Sequence, residues 1–301
     1  LFERFIAPDC PEINRTDSGT AVINIDDDRG AALFQGIGYD RLSVSGTGQA
    51  DISARNITDD ISGLSGTICL PGFTFEFCSA LTGQFNLENI LCAVGAATAL
   101  GIDPFGIKSG IEACQVIPGR LEKVENDIRR HLFVDYAHTP DALESILAAL
   151  KDRAPKRVIT VFGCGGDRDN AKRPLMGEVA ARRSDLAIVT SDNPRTENPD
   201  TIISHILAGM SGHTRLDPDR MQTEPEVAGY LVEPDRKKAL ALAVSISRPG
   251  DTVIAAGKGH ETYQITNTGT IHFDDTEEFK TAAADFKKRF TPMDWSIDDL
   301  S

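Results

Sequence analysis

Residues 157–169 read Arg157-Val158-Ile159-Thr160-Val161-Phe162-Gly163-Cys164-Gly165-Gly166-Asp167-Arg168-Asp169. A short, nearly unbroken apolar run gives way at once to glycine. Such a run fits a strand buried on both faces, as in a parallel sheet. Residues 131–136, 185–190 and 251–256 have the same form. Helical patterns lie between them, at 140–151, 173–183, 201–210 and 235–247. Strand and helix alternate, so the spacing predicts a doubly wound, Rossmann-like α/β sheet. An amphipathic helix over 277–290 closes this region.

Upstream the pattern differs. After a polar, turn-rich stretch over 1–18, a strand is predicted at 20–25 and an acidic helix start at Asp26, Asp27 and Asp28. Residues 38–84 then alternate short β-like runs with glycine, at 42–45, 50–57, 66–70 and 73–77, which predicts antiparallel strands. A strong apolar helix over 86–100 stops at Gly101, and Asp103 opens another to about Ala113. The change of pattern sets a boundary near Pro118. The expected units are 1–117, 118–290 and a frayed tail over 291–301.

Composition narrows the function. The chain has 301 residues, enough for two domains, and a net charge of −14. An acidic chain is a poor nucleic-acid or anionic-membrane binder, so any phosphate must be met by local cations or backbone N–H groups. The longest apolar run, 90–102, is too short to span a bilayer, and no signal-type start is present. Six cysteines without a Cys-x-x-Cys pair read as reduced thiols of a cytoplasmic protein. No histidine pair has zinc-ligand spacing. The chain opens Leu1-Phe2-Glu3-Arg4-Phe5 without Met, which reads as the interior of a longer protein.

The expected strand ends carry the candidate chemistry. Open α/β sheets bind ligands at the carboxyl ends of their strands. The Gly163–Asp169 loop suits a dinucleotide or a carboxylate or phosphate, although Arg168 breaks the Gly-x-Gly-x-x-Gly pattern and disfavours nicotinamide. The plain alternative is a tight turn with a solvated arginine. The next strand ends in Asp192-Asn193-Pro194-Arg195, where Arg195 either joins Arg168 on one carboxylate or merely pairs with Glu197. The last strand ends in Gly257-Lys258-Gly259-His260-Glu261, with a cation, an imidazole and a carboxylate. Positive Arg168 and Arg195 beside negative Glu261 suit a zwitterion such as an amino acid. Asp135-Tyr136-Ala137-His138-Thr139-Pro140 is either a nucleotide contact or a helix cap made by Thr139. Arg120 is either a phosphate contact or a linker cation. The P-loop pattern Gly-x-x-x-x-Gly-Lys-[Ser/Thr] is nowhere in the chain.

Taken together, Phe85-Asn86-x-x-Asn89, Pro118-Gly119-Arg120, the 135–140 motif, 161–169 with Lys172-Arg173-Pro174, Asp192-Asn193-Pro194-Arg195 and 257–261 resemble the Mur ligases over nearly the whole chain. The resemblance implies three domains: one for the UDP part of a nucleotide substrate, a central P-loop ATPase, and a Rossmann-like domain for the incoming amino acid. Residues 1–117 would be the later part of the central α/β domain, with an antiparallel β subregion, and 118–290 the last domain. The first domain, the P-loop, the Mg2+ ligands and a carbamylated lysine would lie upstream of Leu1, leaving no metal site within this chain.

In that family Asp-Asn-Pro-Arg marks use of meso-diaminopimelate over lysine. By resemblance Arg168, Asp192, Asn193, Arg195, Gly257 and Glu261 contact the amino acid, and Asn89, Arg120, Asp135 and His138 serve ATP. The implied partners are UDP-MurNAc-L-Ala-D-Glu, meso-diaminopimelate and ATP, acted on by a cytoplasmic monomer free of nucleic acid and membrane. Two other readings stay open: a non-catalytic module that binds the diamino acid, and, disfavoured by its glycines, an oxidoreductase.

Overall fold

The computed structural model describes residues 19–153, 156–217, 221 and 227–289. The expected opening over 1–18 and the tail over 291–301 lie outside these. The chain divides into two compact units, Leu1–Gln115 and Val116–Ser301.

The first unit is built on a five-stranded sheet in the order β1-β2-β3-β4-β5. Its strands are β1 (Ala21–Asn24), β2 (Arg41–Ser45), β3 (Ile52–Asp60), β4 (Gly63–Leu70) and β5 (Phe73–Ser79). Only β3, β4 and β5 follow the antiparallel expectation; β2 is parallel to both β1 and β3. Helix α1 (Asp28–Gly36), capped by Asp27, supplies the crossover between β1 and β2. Between β2 and β3 no crossover is needed. Only Val44 and Ser45 overlap Ile52 and Ser53, so the chain steps sideways and runs on. Asp51 fastens that step by accepting from the Ser43 amide (2.9 Å) and hydroxyl (2.7 Å).

Helix α2 (Gln84–Ala99) buries Leu87, Ile90, Leu91 and Val94. At Gly95 a Cβ would stand 2.6 Å from Val22, so glycine lets the helix approach the sheet. Helix α3 (Pro104–Ala113) follows, with Asp103 capping it as its sequence predicts.

The second unit carries a six-stranded sheet in the order β10-β9-β8-β11-β7-β6. Its strands are β6 (Glu122–Val124), β7 (His131–Asp135), β8 (Val158–Phe162), β9 (Leu186–Val189), β10 (Gly229–Val232) and β11 (Thr252–Ala256). All pair in parallel except β6, which is antiparallel to β7. Every residue of β8, β9 and β11 is buried, as a sheet covered on both faces requires.

Helices α4 (Pro140–Arg153), α5 (Lys172–Arg183), α6 (Pro199–Ala208), α7 (Arg236–Ile246) and α8 (Asp275–Arg289) complete the unit. Leu132, Val134, Ile159, Val161, Ile188, Val253 and Ala255 share one face with Leu240, Ala243 and Val244 of α7 and Phe279 of α8. Side-chain alternation along the strands leaves Phe133, Thr160, Phe162 and Ile254 for the opposite face.

The chain runs outward from β8 to β9 and β10, then returns to lay β11 beside β8. The order therefore reverses between β8 and β11, and the loops after those strands flank that switch point. Register sharpens this. Ala256 is level with both Asp135 and Phe162, and Phe162 is level with Val189. Four loops therefore leave one sheet edge at one height.

A hairpin of β12 (Tyr263–Thr266) and β13 (Gly269–His272) follows β11. The sequence reading has no counterpart for it, nor for β6 and β10.

Candidate active site at the carboxyl edge of the sheet

The loop after β8 lies against the loop after β9. The Gly166 amide donates to the Asn193 carbonyl over 2.8 Å. A Cβ on Gly166 would overlap the Pro194 carbonyl oxygen, and one on Gly163 would overlap that of Thr190. These glycines were expected to admit a ligand to the backbone; what they admit is the neighbouring loop. The pair with Glu197 expected of Arg195 as its plain reading is also corrected. Glu197 is taken by Arg173, a fully buried arginine on α5, with N–O distances of 2.8 and 2.9 Å. The Asp167 amide donates to Glu197 as well, and with Arg173, the larger influence, lowers its carboxyl to about 2. Cys164, on the same loop, is buried, and burial pushes its thiol up to about 12, so it offers no thiolate nucleophile.

Arg195 is thereby free of Glu197. Its backbone is left-handed (φ 53°), and its Nη1 donates to the Gly166 carbonyl over 2.7 Å. That tether orients the guanidinium and keeps the rest of its donor fork available. Arg168 is exposed, with no hydrogen bond or ion pair on its guanidinium among the described residues. A Cβ on Gly165 would lie 2.9 Å from Arg195 Nη1 and 3.7 Å from Arg168 Cγ, so both arginines border that glycine.

The loop after β11 meets the loop after β9. Asn193 Nδ2 donates to Glu261 Oε2 over 2.8 Å, and Asn193 Oδ1 accepts from the Ile265 amide over 2.9 Å. Strand β12 holds this loop from the side: Gln264 Nε2 donates to the Asp192 carbonyl (2.6 Å), and the Arg195 amide donates to the Ile265 carbonyl (3.1 Å). Gly257 has φ 114°, and a Cβ there would meet Asp192 Oδ2 at 2.7 Å.

The Asp192 carboxylate is buried and has no hydrogen bond among the described residues. Burial raises its pKa, while the charges of Arg236 and Lys258 pull it down and those of Glu261 and Asp275 push it up. Among the described residues, Asp192, Glu261 and Asp275 are thus set against two cations, Arg236 and Lys258. Arg236 is committed to Asp275 at 2.7 and 2.8 Å, both side chains fully buried. This buried cluster therefore has one carboxylate more than it has cations among the described residues, while the loops after β8 and β9 carry the exposed Arg168 and the half-buried Arg195.

The loop after β7 forms a neighbouring cluster. Asp135 is buried, and its carboxylate accepts from the Leu121 amide (2.7 Å) and the Ala137 amide (2.8 Å). Burial raises its pKa against these two bonds and the charge of Arg120. With both oxygens engaged, it fixes the loops that present Arg120 and His138. The ring of Tyr136 lies 4.6 Å from that of His138 and 5.5 Å from that of His260, with the Arg120 guanidinium 5.2 Å away. Thr139 caps α4 through the Ala142 amide (3.3 Å). The sequence assigns Tyr136 no role and offers His260 only as the imidazole of its loop, because their stacking joins distant segments. Asn89 belongs to the first unit, on α2, exposed and bonded to Asn86 Oδ1 at 3.4 Å.

The Mur ligase middle-domain model matches residues 13–97, and the Mur ligase glutamate ligase domain model matches residues 119–259. A UDP-N-acetylmuramoyl-L-alanyl-D-glutamate--2,6-diaminopimelate ligase of Geobacter metallireducens is 46% identical over 284 residues, covering 94% of this chain and 55% of that protein. The ligase of the same name from Trichormus variabilis is 44% identical, over 90% of this chain and 52% of that protein.

Among solved structures, a 2,6-diaminopimelate ligase of that description superposes with a TM-score of 0.60 at 33% identity, covering 90% of this chain and 54% of its own. A Mycobacterium tuberculosis folylpolyglutamate synthase, at TM-score 0.61 and 16% identity over 90% of this chain and 55% of its own, shares the fold alone. The chain spans about half the length of the curated relatives it matches.

Proposed function

The chain belongs to the Mur ligase family, with that family's middle and C-terminal domains, and from this premise we propose that the full-length protein joins meso-diaminopimelate to UDP-MurNAc-L-Ala-D-Glu at the expense of ATP. The observation that carries the proposal is the split charge of the joined loops: Arg168 and Arg195 on the loops after β8 and β9, and the surplus carboxylate of the buried Asp192 with Glu261. One end suits a carboxylate and the other an ammonium. The names of the relatives support the same substrate.

In this reading the D-glutamyl carboxylate oxygen attacks the γ-phosphorus of ATP and ADP leaves, giving an acyl phosphate. The diaminopimelate amine then attacks the acyl carbon, phosphate leaves, and the nitrogen gives up its proton. The side chains of this chain act mainly by holding charge and position. Arg195, fixed by Gly166, takes the distal carboxylate of the amino acid, with Arg168 beside it. Asp192, Asn193 and Glu261 receive the polar groups at the other end, and Gly257, lacking a Cβ, lets the Asp192 carboxylate lie against its backbone. Arg120, His138 and Asn89 serve ATP, and Asp135 orients the first two.

Lysine lacks the distal carboxylate and would leave the Arg195 guanidinium unmatched, a penalty of about 2–5 kcal/mol. Among the described residues no group of three or more His, Cys, Asp or Glu side chains could hold a metal ion, and Mg2+ is read as accompanying ATP in the full-length protein. The P-loop pattern is not in these 301 residues, and the proposal concerns the full-length protein. Residues 1–117 are read as the later part of the ATPase domain and 118–290 as the amino-acid domain. No helix among the described residues is long and apolar enough to cross a membrane. We read the protein as a monomer acting in the cytoplasm, and its net charge of −14 suits neither nucleic acid nor an anionic bilayer.

The test is ADP release by the full-length protein given ATP and UDP-MurNAc-L-Ala-D-Glu, with and without meso-diaminopimelate. Release that depends on the diamino acid, with a product heavier by one such residue, is the expected result. Absence of that product overturns the proposal.

A further inference from the structure

Lys258 sits between two glycines whose backbones are left-handed, Gly257 at φ 114° and Gly259 at φ 54°. These turns carry its side chain inward, and it is fully buried. The sequence presents it as a cation offered to a ligand; the structure gives it no solvent face. An ammonium removed from water needs acceptors close by. Nζ has three: the Tyr263 carbonyl at 2.5 Å, Glu261 Oε2 at 3.2 Å and Asn193 Oδ1 at 3.4 Å. It also lies 5.6 Å from the centroid of the Tyr263 ring.

Two of these three acceptors belong to side chains of the amino-acid site. Their geometry follows from the contact. Asn193 Oδ1 takes the Ile265 amide and Lys258, which forces Nδ2 toward Glu261. Glu261 Oε2 is then occupied twice, by Asn193 Nδ2 and by Lys258. Its Oε1 has no hydrogen bond among the described residues and is the oxygen left for an incoming group.

We propose that Lys258 is a positioning residue for the amino-acid site: its ammonium ties the loop after β9, the loop after β11 and strand β12 together, and so, with Asn193 Nδ2 held on Glu261 Oε2, presents Glu261 Oε1 to the ligand. This rests on the functional reading above. It assigns Lys258 no contact with substrate. Its effect passes through Asn193 and Glu261, so it falls on diamino-acid binding and not on the other two substrates.

The test is steady-state kinetics of the full-length protein as wild type, Lys258→Met, Glu261→Gln and the double variant, with the three substrates varied in turn. In Lys258→Met the KM for meso-diaminopimelate rises about tenfold or more, while the KM values for ATP and the UDP-linked dipeptide stay within twofold. In the Glu261→Gln background, adding Lys258→Met changes the diaminopimelate KM by no more than twofold, because the group it positions is already altered.

The double variant buries no unmatched charge at this pair, so it reports even where Lys258→Met alone does not fold. An unchanged diaminopimelate KM in Lys258→Met, an equal rise in all three KM values, or a full tenfold further loss in the double variant overturns the assignment. A wild type that forms no product from meso-diaminopimelate instead removes the functional reading and this inference with it.

Discussion

Arg173 holds Glu197 with both terminal nitrogens, Nη1 to Oε2 at 2.9 Å and Nη2 to Oε1 at 2.8 Å, across twenty-four residues of sequence. The pair joins α5 to the loop that carries Arg195. Glu197 also accepts from the Asp167 amide, so the loop after β8 is held by the same carboxylate. The two arginine-bearing loops are in this way set by an ion pair that touches neither arginine.

That pair predicts a pH signature. Glu197 titrates at about 2 in the folded protein in place of the usual 4.5. A carboxyl whose folded value is depressed contributes stability that is complete above its unfolded value and fades as pH falls toward the folded one. Glu197→Gln therefore lowers the melting temperature at pH 7, and the gap to wild type narrows below about pH 4.5. Melting curves from pH 7 to pH 3 check this; a gap of constant size contradicts it.

The buried Arg236–Asp275 pair predicts a larger effect. Both side chains are fully buried, and Arg236 Nη1 already lacks a partner among the described residues. Asp275→Ala leaves a buried guanidinium uncompensated, at a cost of about 3–5 kcal/mol. Urea unfolding measures it. A loss under 1 kcal/mol would mean that water reaches Arg236.

Gly166 predicts a steric effect. Its missing Cβ is the space filled by the Pro194 carbonyl, part of the rigid backbone of the adjoining loop. Gly166→Ala must part the two loops and move Arg195, which is hydrogen-bonded to the Gly166 carbonyl. The KM for the amino acid rises about tenfold or more, whereas Gly36→Ala, where a Cβ meets no atom within 4 Å, leaves it unchanged. Equal behaviour of the two variants contradicts the loop packing.

Cys164 predicts a chemical contrast. Its thiol is buried and pushed up to about 12, while Cys78 is exposed. Iodoacetamide at pH 8 labels Cys78 and spares Cys164 in the native protein, as peptide mass mapping would show. Rapid labelling of Cys164 in the native fold contradicts the closed loop.

The sheet was legible where burial imposes composition. β7, β8, β9 and β11 are apolar because helices cover both their faces. The three-residue β6, the half-buried β10 and β12 and the exposed β13 carry no such demand, and their residues do not announce them. Antiparallel pairing was read too broadly over 38–84, because a two-residue parallel overlap such as β2 with β3 leaves no trace in periodicity.

At the site, the strand ends and their arginines were readable as motifs. What was not readable was direction. The inward turn of Lys258 depends on the dihedrals of Gly257 and Gly259, and the capture of Glu197 by Arg173 depends on two loops meeting in space.

The most direct measurement compares meso-diaminopimelate with L-lysine as substrates of the full-length protein, in wild type and Arg195→Ala. A charge pair worth about 2–5 kcal/mol corresponds to a preference of about thirtyfold or more in kcat/KM. Wild type is expected to show that preference, and Arg195→Ala to lose it to within a few-fold, through loss of activity with diaminopimelate and not through gain with lysine. Wild-type preference for lysine, or a preference that survives removal of Arg195, would contradict this expectation.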